Sequence, residues 1–272
     1  MRRALVASFL SLVSLQLNAA DFSSDFAVVF ADATTEARFG EVPLDRVLLA
    51  KAIGLAAKGG ARGVIIKFFL DHSGDPTSDQ ELAQAMTRVP VLLQARIDDS
   101  EPRSNALAPR FVLEGEARST AISGTNGWIP TELFAQAASD ICFVDAASGS
   151  ISMIETYGGS LVKSLILCAI ELASGTRASF SEEGALIVAD AAVPADNLFR
   201  LSVPIVDRQP LNEVKLHDLL DGRVAASSLK DKVVILAYDG PRIGLLDSGY
   251  GTVGAHRLFV LLLRDIYQRL PK

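Results

Sequence analysis

FAVVFAD (Phe26 to Asp32), PLDRVLLAKAIGLAAKGG (Pro43 to Gly60) and GVIIKFFL (Gly63 to Leu70) follow one another near the start of the chain. The first and third are short runs, apolar almost throughout, which suits strands covered on both faces. Between them, apolar residues recur at helical spacing, with Pro43 early and Gly59-Gly60 late, as helix ends prefer. The alternation continues outward. TSDQELAQAMTRV predicts a helix with Ser78 as its cap and Glu81 three residues on, a capping box, and VPVLLQARI (Val89 to Ile97) predicts a third strand. Strand, helix, strand, helix, strand implies right-handed crossovers and a parallel sheet.

Farther along, Asp98 to Pro109 is polar and turn-rich, an exposed loop. Trp128 to Ala138 reads as a short helix, and DICFVDAASGSISMIETY as two strands joined by a turn around Ser148-Gly149. Ser160 to Ala173 reads as a helix, and the stretch after Phe180 as two or three antiparallel strands. Leu216 to Gly222 is a short helix, Lys232 to Asp239 a buried strand, and Ala255 to Leu270 a closing amphipathic helix. The expected fold is α/β, a mixed, mainly parallel sheet with helices on both faces in a single domain.

The 20 residues that open the chain, MRRALVASFLSLVSLQLNAA, have the pattern of a secretion signal: Arg2-Arg3, an apolar run from Ala4 to Leu17, then small Ala19 and Ala20. A helix of that run would span only about 21 Å, short of the roughly 30 Å of a bilayer core. The expected division is a leader over 1–20 and a mature domain over 21–272, in the periplasm or secreted. An uncleaved anchor is the alternative. Losing Arg2 and Arg3 leaves 24 of the 26 basic residues against 32 acids, a net charge of −8. That balance argues against nucleic acid and anionic lipid as partners. No later segment reaches the ~18 consecutive apolar residues of a membrane helix. For Cys142 and Cys168, two buried thiols is the plainer reading, and a bridge the one that export permits.

FAVVFAD, the helix ending AAKGGARG, VIIKFFLD and SDQELAQAM together resemble the amino-terminal half of the CHASE domain of the second type. DICFVDAASGSISMIETY followed by SLVKSLILCAIELASG resembles its middle, and KLHDLLDGRVAASSLKDKVVILAYDG with GTVGAHRLFVLLL its close. The resemblance spans about Phe26 to Leu270. It implies an extracytoplasmic sensor, usually joined to membrane helices and to histidine kinases, nucleotide cyclases or serine/threonine kinases. Three departures stand out. The sequence stops at Lys272, Lys67 stands where an acidic residue is expected, before Asp71-His72-Ser73-Gly74 in place of a proline-rich loop, and Asp247 to Gly254 is short. The first predicts a free-standing module that passes its signal through another protein.

Parallel α/β sheets bind ligands at the carboxyl ends of their strands. Those ends offer Asp32 with Thr34 and Thr35, Lys67, Asp71, His72, Arg96, Asp239 and Arg242 as ligand-binding candidates, with Asp32–Lys67 the expected structural ion pair. His72, His217 and His256 lack metal-ligand spacing, so neither a metal nor a cofactor is expected. Ser248 in DSGYG, and Ser148 and Ser150 in ASGSISM, lie in turn-like settings without a nucleophile elbow, and no catalytic residue is assigned. The partner is a small molecule or a membrane-bound signalling protein. The alternative function is an envelope interaction or structural protein without a small-molecule pocket, and a hydrolase comes third.

Overall fold

The computed structural model describes residues 20–100, 106–115, 118–147, 150–202 and 210–270. Nearly all of the expected leader, part of the 98–109 loop and the Ser148-Gly149 turn lie outside those residues.

The sheet is built from β1 (Phe26–Ala31), β2 (Gly63–Ile66), β3 (Val91–Ile97), β4 (Gly127–Trp128) and β5 (Asp140–Phe143), completed from late in the chain. An antiparallel hairpin, β6 (Ile154–Tyr157) and β7 (Ser160–Lys163), precedes those last strands, β8 (Glu213–Lys215) and β9 (Val233–Tyr238). The order is β8-β1-β9-β2-β3-β5, every neighbouring pair parallel, with β4 antiparallel on β3. The expected mixed, mainly parallel α/β sheet with helices on both faces is what the molecule has.

Alternation along the strands sorts the core into two. Val29, Ala31, Val64, Ile66 and Leu93 pack on one face against α1 (Ala33–Phe39), α2 (Arg46–Lys58), α3 (Pro76–Met86) and α4 (Glu132–Ala137). Val28, Phe30, Ile65, Leu92 and Ile235 pack on the other against α5 (Leu165–Ser174). A short helix, α6 (Leu216–Leu220), joins the first face, and the last helix, α7 (Ala255–Tyr267), joins the second.

Several expectations are corrected. Ser160–Lys163 is not helical but is β7, because Gly158 and Gly159, with φ of +56° and +83°, turn the chain into a hairpin with β6. The helix starts at Leu165, where the Ser164 hydroxyl accepts from the Leu167 amide. Helix α3 is capped by Asp75, whose carboxylate accepts from the Ser78 amide and hydroxyl, so Ser78 lies inside the helix. The helix expected from Trp128 is only Glu132–Ala137, because Trp128 pairs with Arg96 in the sheet. Helix α1 was not foreseen in the sequence.

Cys142 on β5 and Cys168 on α5 are bonded to each other, not two separate thiols. Beside them Lys163 Nζ lies 2.6 Å from Asp140 and 2.7 Å from Glu171, tying β7, β5 and α5 through one buried cation. The bridge spans 26 residues of sequence, enough to contribute roughly 3 kcal/mol by restricting the unfolded chain. Replacing both cysteines by alanine is expected to lower stability by about 2–4 kcal/mol, read as a reduced urea midpoint with a slope that rises as the unfolded chain expands.

Candidate functional site

Two polar groups occupy the carboxyl edge of the sheet, one half-buried and one buried. The half-buried group crosses the ends of β8, β1 and β9. Asp32 caps α1, accepting from the Thr35 amide at 3.0 Å and its hydroxyl at 3.1 Å, and lies 3.6 Å from Lys215. Burial opposes the charge on Asp32, but the Thr35 bonds, Lys215 and His217 outweigh it and hold the carboxyl below its usual range. Lys215 also meets Glu213 at 2.9 Å. Glu213 and Asp239 share Arg257, whose Nε lies 2.8 Å from Asp239. Arg242 pairs with Glu36 and Glu41, and its amide donates to the Tyr238 hydroxyl. Asp32, Asp239 and Arg242 therefore sit on one edge, as expected, but each is held by a neighbouring charge. They form ion-pair chains, not the lining of an open cavity.

Asp71 and His72 stand apart, paired with each other at 2.9 Å on a loop where the His72 ring is 70% exposed. Arg96 stacks on Trp128, 5.5 Å from the ring centre, and approaches Asp145 at 3.7 Å.

The buried group is centred on Lys67. Its position continues the alternation of Ile65, so its side chain enters the second core, where it is 5% exposed. It does not pair with Asp32, because β9 lies between β1 and β2. Its amine instead donates to Gln94 Oε1 at 2.7 Å and lies 4.8 Å from the centre of the Phe259 ring on α7. Burial lowers its pKa to about 7, with Asp145 pulling the other way. Asp145 accepts from the Ile97 amide at 2.8 Å and neighbours Glu155 on β6, which is fully buried. Burial, then the Asp145 charge, raises the Glu155 pKa well above the usual carboxyl range, which favours its protonated form.

His256, at the head of α7, accepts from the Tyr238 amide at 3.1 Å through Nδ1. Burial and then the Lys67 charge push its pKa down to about 3, so it is a neutral packing group. Sequence reasoning missed Gln94, Asp145, Glu155 and Arg257. Gln94 had a readable signal, a polar side chain at the same inward parity as Leu92.

The arrangements that could resemble catalysis are occupied otherwise. Thr35 Oγ1 lies 3.1 Å from His217 Nδ1, but it is fully buried and also bonded to Asp32. Ser248 donates to the Gly251 carbonyl and accepts from the Tyr250 amide, closing a hairpin turn. Among the described residues, the atoms close enough to share a metal belong to Asp140, Cys142 and Cys168, and the two sulfurs are bonded to each other.

A family model described as the CHASE2 domain matches residues 4–248. The chain belongs to the CHASE2 domain family. The match starts inside the segment read as a leader and ends before α7, so His256 and Phe259 lie beyond it. CHASE2 is a family of extracytoplasmic sensor domains, and the chain is a sensor-like module of that kind. No helix among the described residues is long and apolar enough to cross a membrane. No curated protein and no solved structure matches the chain.

Lysine at position 67 is a cost to the CHASE2 fold that methionine removes. Its pKa falls from 10.5 unfolded to about 7 folded, so below pH 7 both states are charged and the penalty is complete. Between those two values the unfolded chain binds more protons, and stability rises with pH. Lys67→Met is expected to stabilise by a few kcal/mol at and below about pH 7, the gain shrinking towards pH 10, as measured by urea unfolding across that range.

Proposed function

We propose that this CHASE2 protein is an exported, sensor-like binding module of a signalling system, with no catalytic step of its own. It takes its signal at the carboxyl edge of its parallel sheet. One observation carries the reading: in a family of extracytoplasmic sensors, the strand ends gather Asp32, Lys215, Glu213, Arg257 and Asp239 into one polar chain beside the buried Lys67 group. Open parallel sheets take ligands at that edge. A polar or charged small molecule would exchange its own groups for one of these half-buried ion pairs, whose charges still reach solvent. Signal output then belongs to a membrane-bound partner, and the leader, removed after Ala19 or Ala20, places the module in the periplasm or outside the cell.

The second reading is an envelope interaction protein without a small-molecule pocket. The hairpin β10 (Leu245–Ser248) and β11 (Gly251–Gly254) favours it, because Leu245 and Leu246 are 67% and 45% exposed.

A thermal-shift screen of amino acids, sugars, organic acids and nucleotides separates the two. The sensor reading predicts that one class stabilises the protein, by about 2.7 kcal/mol at 100 times its dissociation constant, and that Arg257→Ala weakens this response. No shift with any class, together with recovery of a membrane protein that Leu245→Ser and Leu246→Ser release, would favour the second reading.

A further inference from the structure

Lys67 is a buried amine that donates to the neutral Gln94 amide oxygen. The groups around it come from four elements. Gln94 lies on β3, Asp145 on the segment after β5, and His256 and Phe259 on α7. Glu155 on β6 faces Asp145, as do Arg96 and Asp98 from the end of β3 and the loop after it. The backbone of Lys67 is held by β9, its amide donating to the Leu236 carbonyl at 2.9 Å. The amine is therefore enclosed between β2, β3 and the first turns of α7. Asp145 is the carboxylate whose charge acts on it.

We propose that the Lys67–Asp145–Glu155 cluster is a proton-binding site, and that the stimulus this module reads at its sheet edge is acidification. This rests on the sensor reading above and adds the proton to the signals that its edge takes. The step is the simplest available: the neutral amine takes up one proton and becomes an ammonium, with no other bond made or broken. Burial favours the protonated form of Glu155 and holds His256 neutral down to about pH 3, whereas the enclosed Lys67 amine, lowered to about 7, is the group poised to change charge near neutrality. The new charge is drawn to Asp145 and to the face of Phe259. It is repelled by any added charge at His256.

Both consequences reach neighbouring elements. Phe259 is one turn into α7, so a change in its attraction to the amine bears on the seating of the last helix. Asp145 holds the Ile97 amide and neighbours Arg96, which stacks on Trp128. Trp128 is the only tryptophan in the chain, and it also meets Phe69 edge-on at 4.9 Å, two residues after Lys67. The cluster thus carries its own optical reporter.

The test records Trp128 emission of the intact protein from about pH 5.5 to 9, alongside the 13Cε resonance of Lys67 in lysine-labelled protein. The expected result is one emission step with a midpoint near 7, matched by the Lys67 resonance and absent in Lys67→Met, which stays folded by circular dichroism. A step that survives in Lys67→Met overturns the proposal, as does a Lys67 resonance that moves only above about pH 9. A titrating Lys67 with flat Trp128 emission also overturns it, because the proton would then bind without altering the edge. Stabilisation by a small molecule in a protein with no pH step would remove the proton as stimulus and leave the sensor reading standing.

Discussion

The centre of the sheet is filled from the far end of the chain. Val233–Tyr238 pairs in parallel with Phe26–Ala31 on one side and with Gly63–Ile66 on the other. The first two strands of the chain, although consecutive, never touch within the sheet. The parallel ladder therefore stays open until residue 233 arrives, and that ordering decides which polar groups meet at the carboxyl edge. It separates Asp32 from Lys67 by a whole strand, roughly 10 Å at the usual spacing. Asp32 is left to cap a helix, and Lys67 to find Gln94.

The same late segment covers what it completes. From the end of the central strand the chain makes one exposed hairpin and returns as α7, laying Phe259 and Val260 over the second face. His256 accepts the Tyr238 amide at the strand end. An amine in that position loses its water, and the Asp145 charge restores only part of what is lost, so the charged form is disfavoured. The outer charges differ in kind. Arg257, Glu213, Lys215 and Asp239 remain partly in water, where pairing adds little stability. Exchange of such pairs for a ligand is cheap, whereas a change at Lys67 is felt through packed neighbours.

How much of this was legible varies from residue to residue. The apolar runs at Phe26, Gly63, Val91 and Val233 declare strands buried on both faces, and the order of the motifs leads to the family. Lys67 and Gln94 break those runs at inward positions, so their burial was readable, but the partner of Lys67 was not. Adjacency in sequence suggests β1 beside β2, and nothing local announces that a strand from residue 233 comes between them. Ser160–Lys163 was lost to a different ambiguity: a short apolar run fits helix or strand equally, and only Gly158-Gly159 marked the turn. Asp145 and Glu155 come from the irregular middle, where no periodicity assigns a face. Their meeting is a product of tertiary structure alone.

Burial of the Lys67 amine under the last helix is the claim on which the edge depends, and chemical labelling of the native protein probes it directly. With an amine-reactive ester under mild conditions, followed by peptide mapping, Lys51, Lys58 and Lys230 should react because they are exposed. Lys67 should remain unmodified until the protein is denatured. Labelling of Lys67 in the folded protein at the rate of those three would contradict the account.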